Sequence, residues 1–478
     1  DALGGLLSRL DQNDREGALL GAAAVVSSYE RAGILPERDG QRLPDACAAD
    51  DRPRCSDRAA FHLAAMLRGE QQELLPEWLA KAAEAGRRVP EEYLPTLLDL
   101  GRMREDLREV MRSTALPALG ARGRWLAAQN PNWDFIAAGL DESLWETGGR
   151  EQRLALLAGL RRLDAGRARE LLAVTWEQES PKDRADFLAA FEQGLSMEDE
   201  AFLESALDDR RKEVRRAAAD LLARLPESAL CRRILERVRP LLTFKLNRLR
   251  RKVIDVTLPE SCDKAMQRDG IEPKPNLPGI GEKAWWLAQM LGLIPPAVWA
   301  RESGWTVDEL IEVAKRGDWK SLLLDGWSQA ARMYHDVEWA EALLDATTDQ
   351  PRAVLLFQAL PQARQEAFIV ELLEKNRSAR ATDPSRSFIV SSHSRWGEAL
   401  SRAVIDCLRF HATTDDFKTD WWWAGFLTAV GCRLNPALLS DAVDRLARAT
   451  KNPADRPPAL DRFLDFIQFR HEMLKEFH

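Results

Sequence analysis

The 478-residue sequence is 45% hydrophobic and 30% charged, with a formal net charge of −8 and a pI near 5.6. That length fits two or three ordinary domains or one extended solenoid, and the acidic balance excludes a surface that grips nucleic acid everywhere; only a local basic patch could do so. No uncharged apolar run reaches the roughly 18 residues a membrane-spanning helix needs.

Asp, Arg and Glu within residues 1–20 interrupt the apolar stretch a signal peptide would keep, and six scattered cysteines read as reduced thiols. The expected location is therefore the cytoplasm. Sixteen Trp against three Tyr is an unusual indole content. Stacked helices leave gaps of a size that Trp fills, and most of these rings are expected in the core.

Residues 1–30 and 59–86 have helical patterning, with a polar, Pro-containing link over residues 35–56. Glu91 to Val110 continues it, punctuated by prolines at 90, 95 and 117. The segment Gly120 to Trp133 then gathers Arg122, Arg124, Trp125, Gln129, Asn130 and Trp133 around an Asn-Pro turn. Arg and Trp dominate the energy of protein interfaces, which makes these six residues a candidate docking surface. A buried loop in which Asn130 caps a turn accounts for them equally well.

From Leu144 to Val238 the sequence repeats with a period of 31. Leu144-Trp145, Thr175-Trp176 and Ala206-Leu207 open three units. Arg153, Arg184 and Arg215 follow the second anchor residue by eight positions, and Leu160, Phe191 and Leu222 by fifteen. In the third unit Val214, Ala218, Leu221, Leu222 and Leu225 make one apolar stripe at helical spacing. Pro226 stops that helix, and Leu230 to Val238 supply its neighbour. One such pair cannot bury its own stripe, whereas a stack of pairs can.

The string Asp208-Asp209 followed by Glu213-Val214-Arg215 resembles a HEAT repeat, in which an acidic residue precedes a Val-Arg that opens the second helix. By that resemblance Asp208 and Arg215 belong to an Asp–Arg ladder between neighbouring repeats, although the first two units carry no Asp at the matching place. The strings Arg122 to Trp133 and Gly281 to Leu287 are similar to those of an uncharacterised bacterial family encoded beside MoxR-type AAA+ ATPases and von Willebrand A-domain proteins. That resemblance implies such proteins as partners and supplies no catalytic residues.

The pattern changes over residues 241–281. Lys245, Arg248, Arg250, Arg251 and Lys252 are interleaved with Leu241, Leu242, Leu246 and Leu249, which favours an amphipathic helix with a basic side. An acidic patch on a partner protein fits that side better than nucleic acid does, given the acidic whole. Val253 to Pro259 has the composition of a short strand or extended segment. Leu277-Pro278-Gly279-Ile280-Gly281 with Lys283 imitates a helix-hairpin-helix phosphate site, but Pro273 and Pro275 forbid the helix that must precede it. A turn that starts a helix, with Trp285 and Trp286 packed inward, is the favoured reading, and Lys283 stays a candidate contact. Helices resume at Glu282, and Ser378 to Ser394 reads as a polar surface loop.

Cys47, Cys55 and His62 lie close, yet their spacings match no zinc pattern. No phosphate-cradling Gly-rich loop, dinucleotide fingerprint or nucleophile elbow occurs. No metal, cofactor or catalytic residue is expected. The sequence is thus expected to be all-α: an α-solenoid of HEAT-like helix pairs with a short irregular or β segment near 253–280. Its parts are an N-terminal helical region (1–140), the repeats (141–240), a basic and Pro-rich connection (241–281) and a C-terminal helical region (282–478). The expected function is a scaffold that binds other proteins. The alternative is a nucleic-acid-binding helical-repeat protein, of the type of the HEAT-like DNA glycosylases.

Overall fold

The computed structural model describes residues 2–10, 14–33, 44–50, 52–137, 142–275, 280–375, 385–392, 395–412, 423–449 and 456–477. They form an all-α protein with one short two-stranded sheet. Contacts divide the chain into two units, Asp1–Cys47 and Ala48–His478. In the first, the helices Ala2–Leu7 and Arg15–Gly33 pack together, and the Asp14 carboxylate accepts the Gly17 N–H at 3.0 Å to cap the second.

In the second unit most helices pack on others a few elements away in the chain, the most extensive contact joining Glu282–Gly292 to Lys320–Met333. Local signals set the ends. Helix Lys212–Ala223 buries Val214, Ala218, Leu221 and Leu222, stops before Pro226, and is followed by Ala229–Val238, capped by the Ser228 hydroxyl. Helix Val307–Arg316 opens with a reciprocal box, the Thr306 hydroxyl accepting from Glu309 N–H and the Glu309 carboxylate from Thr306 N–H. Indoles fill the interior as their abundance suggests: Trp78, Trp299, Trp327, Trp339 and Trp396 are fully buried.

The unit also closes on itself. The last helix, Pro458–Lys475, packs against Asp57–Leu67 and Leu75–Glu84 near the unit's start. Arg470, 0% exposed, donates to both oxygens of Glu77 at 2.7 and 2.9 Å and to the carbonyls of Gly431 and Leu434. Arg395 adds a second guanidinium to Glu77 at 2.7 Å, and Ser56 donates to Glu476 at 2.9 Å. Edge-on ring pairs, Trp78 with Phe477 and His62 with Phe469, complete the seam.

The 31-residue register is retained in space. All three second anchors (Trp145, Trp176, Leu207) and all three later positions (Leu160, Phe191, Leu222) are buried. Arg153 lies over the Trp145 ring at 4.4 Å and pairs with Glu179, which follows the next anchor; Arg184 lies over Trp176 at 5.3 Å and pairs with Asp209 at 2.6 Å. The third guanidinium, of Arg215, donates to the Asp209 carbonyl at 2.9 Å. Asp208 is not a rung: its carboxylate takes Arg268 instead, because Asp209 is the one half-turned into the stack. Glu179 supplies the acid that the second unit seemed to lack.

A second layer of charge lies deeper. Arg161 and Asp199, both side chains 0% exposed, form a two-point pair at 2.9 and 2.7 Å. Arg161 also donates to the carbonyls of Gln193 and Gly194, and Arg169 reaches Asp199 at 2.8 Å. Gly194 has φ +62° with the Arg161 carbonyl where a Cβ would stand, so only glycine fits there.

Two expectations need correction. The basic run 239–252 is a β-hairpin, not an amphipathic helix: strands Leu242–Leu246 (β1) and Lys252–Val256 (β2) pair antiparallel, with Phe244 opposite Ile254. Pro240 cannot continue the preceding helix, Asn247 makes the turn, and Phe244 packs on Trp299 and Trp305, so tertiary contacts outweigh the helical spacing of the leucines. The segment 253–256 is the strand anticipated. Within Ser378 to Ser394, residues Ser385–Ser391 form a helix with Phe388 and Ile389 buried; 378–384 and 393–394 lie outside the described residues.

Candidate functional site

The Arg122–Trp133 segment is a helix, Gly120–Gln129, followed by the turn Pro131–Trp133. Asp50 caps it, its carboxylate accepting from the backbone N–H groups of Ala121 and Arg122. Gly120 has φ +67°, and the Asp50 carboxylate fills the space of a Cβ, so the glycine lets the cap close. Arg122, Arg124 and Gln129 are exposed, and Trp125 is half-buried. Asn130 takes the Asn132 N–H at 3.0 Å, and Trp133 donates to Asp99 at 2.9 Å. Asn130 and Trp133 are thus engaged within the fold, while Arg122, Arg124 and Gln129 present an outward face.

The basic residues of 245–252 divide in the same way. On the strands, Lys245 pairs with Asp255, and Lys252 pairs with Glu309 while lying over the Trp305 ring at 5.3 Å. Glu309 accordingly sits below the usual carboxylate range, held there first by Lys252. Arg248, Arg250 and Arg251 occupy the exposed tip. Lys283 is exposed in the first turn of helix Glu282–Gly292. Of the imitation phosphate loop, residues 277–279 lie outside the described residues, while Gly281 is the N-cap of this helix. Trp286 is buried and donates to the Pro273 carbonyl at 2.8 Å, and Gln289 brackets the backbone of Glu272, so the Pro-rich stretch is pinned to this helix. Trp285 is only half-buried.

The candidate residues do not converge on one place. Helix Gly120–Gln129 packs with Leu94–Met103, β2 with Val307–Arg316, and the Lys283 helix with Lys320–Met333. Two grooves formed by distant positions escaped sequence reasoning. One, of about 940 Å³ beside the closure seam, is lined by Glu73, Glu77, Asp106, Arg395, Cys432 and Arg433 among others. The second, of about 600 Å³, lies between C-terminal helices and includes Leu373, Arg402, Asp406, Arg409, Phe410 and Arg445. No local motif marks either, since their walls come from separate helices.

Two groups lining the seam groove are shifted in opposite directions. Asp106 is held below the usual carboxylate range, chiefly by its hydrogen bond from Arg104. Burial pushes the Cys432 thiol up to about 11, with Glu77 and Glu73 adding to it and Arg470 opposing, so the thiol stays protonated at neutral pH and is a poor nucleophile. Cys55 is likewise pushed to about 11 by burial. Among the described residues no three of His, Cys, Asp and Glu are placed to hold a metal ion, and no helix is long and apolar enough to cross a membrane.

A family model described as "Family of unknown function (DUF5691)" matches residues 2–477. The chain belongs to that family. No curated protein matches it. The match spans the repeats, the hairpin and both sides of the closure seam, so these are parts of one family-wide chain rather than a repeat module joined to unrelated segments.

Proposed function

We propose that the protein is a helical-repeat scaffold that holds other proteins. The observation that carries this reading is the register at Arg153, Arg184 and Arg215: three successive units place an arginine at the same station, and the first two, Arg153 and Arg184, each pair with an acid of the next unit, while Arg215 holds a carbonyl of its own. A ladder of that kind supports a HEAT-like stack, whose use in general is to offer a long surface of repeated geometry to partners.

The partners follow from the resemblance to chains encoded beside MoxR-type AAA+ ATPases and von Willebrand A-domain proteins. A tagged full-length chain expressed in such a host is expected to recover the neighbouring ATPase or the von Willebrand A protein. Recovery of neither, with both present in the extract, would remove the reading. A duplex DNA gel-shift at low salt that gave tight, salt-sensitive binding would replace it with the nucleic-acid alternative.

A further inference from the structure

The tip of the β1–β2 hairpin combines features that a surface turn of a free-standing protein does not need. Leu246 and Leu249 are 57% and 74% exposed, side by side in sequence with Arg248, Arg250 and Arg251. Among the described residues no carboxylate pairs with those three guanidinium groups. The stalk below them is neutralised internally by Lys245–Asp255 and Lys252–Glu309, so uncompensated positive charge is confined to the loop.

The loop is also held in one shape. The Asn247 side chain accepts from the N–H groups of Leu249 and Arg251 at 2.9 and 3.0 Å, and its backbone N–H donates to the Arg251 carbonyl. Arg250 sits at φ +57°, where glycine or asparagine is ordinarily favoured. A bulky residue kept in such a conformation is commonest where its side chain has work to do. At the other end, Phe244 against Trp299 and Trp305 anchors the stalk to the helices. The result is a preorganised probe, which lowers the ordering cost of binding.

We infer that this tip is a docking element for a partner protein whose groove has an apolar floor, to seat Leu246 and Leu249, and a carboxylate rim, to meet Arg248, Arg250 and Arg251; the inference rests on the scaffold reading. An extended polyanion, whether duplex or bilayer surface, would find no further free cation along the stalk, where Lys245 and Lys252 are already paired with Asp255 and Glu309. A concave protein groove admits the tip alone. Charge steers the encounter, and the leucines supply the slow release.

The test begins with the full chain carrying a photoreactive residue at Leu249 and, as control, at the exposed Leu163, irradiated in cells that express it. A protein crosslinked at 249 and not at 163 is expected. Purified, it should bind the unmodified chain with an affinity that falls with salt, and at least about tenfold less tightly to Arg248→Glu/Arg250→Glu/Arg251→Glu and to Leu249→Ser. Both variants alter exposed positions and are expected to keep the wild-type unfolding midpoint, with Leu249→Ser serving if the triple variant fails to fold.

Absence of a 249-specific protein adduct overturns the inference. So does undiminished binding by the folded variants, or tip-dependent binding of the wild type to phosphatidylglycerol vesicles or to a duplex DNA. If the whole chain keeps its partners when the tip is altered, the tip inference falls and the scaffold stands; if the wild type has no partner, both fall.

Discussion

Two of the second unit's arginine–carboxylate systems, the rungs of the repeats and the seam, differ in reach. In the repeats, Arg153–Glu179 and Arg184–Asp209 join residues 26 and 25 positions apart, each with a buried carboxylate and a partly exposed guanidinium, in successive units. At the seam, Arg470 and Glu77 join residues 393 positions apart, and the guanidinium is wholly buried. A rung has a neighbour of the same kind to share its load. The seam has none, and its arginine holds the carbonyls of Gly431 and Leu434 as well, so its loss should be felt more widely.

The sharpest way to break that contrast is Arg470→Ala. It strands Glu77 with Arg395 alone, frees two carbonyls and opens a void, and should lower unfolding free energy by about 3–5 kcal/mol. Denaturant midpoints at constant slope measure it. A loss below about 1 kcal/mol would mean the seam is incidental contact.

The next effect lies in the deep pair. Burial raises the Asp199 carboxyl, but hydrogen bonds from Arg161 and Arg169 outweigh it, and the net shift is downward. A carboxyl lowered in the fold contributes stability that is complete above the ordinary range, about pH 4, and is lost as pH falls through the folded value. Asp199→Asn should therefore cost roughly 2–3 kcal/mol at neutral pH, with the gap from wild type closing in acid. A gap that stays constant from pH 7 to about pH 3 would show that Asp199 acts by shape rather than charge.

Arg184→Ala should cost least, about 1–2 kcal/mol, because Asp209 keeps the Arg211 N–H at 2.8 Å. A cost equal to that of Arg470→Ala would erase the distinction between rung and seam.

The same contrast explains what could be read from the sequence. The rungs were legible because each sits at a fixed offset from a Trp or Leu anchor, and helical spacing fixes where such residues point. Glu179 was missed because it plays the part of an Asp one position out of step. The strand 252–256 showed in its Val-Ile-Asp-Val run, whereas β1 was hidden: its leucines also satisfy helical spacing, and only Phe244 meeting Trp299 and Trp305 decides against it. For the candidate residues, spacing identified the exposed arginines at 122, 124, 248, 250 and 251, but could not tell that Lys245, Lys252 and Trp133 were already engaged. The seam and its groove had no local signature at all, since a contact between residues 77 and 470 leaves no period behind.

The closure of the second unit also bears on how that unit comes apart. An open stack of repeats frays from its outermost pair, which has a neighbour on one side only, and unfolding then proceeds unit by unit. Within the second unit the end helices Asp57–Leu67 and Pro458–Lys475 are each other's neighbours, so neither is a free end and opening this unit must rupture two interfaces together. Amide exchange should then be slow and even around that unit, including in helix Pro458–Lys475, where an open stack would be quickest to yield.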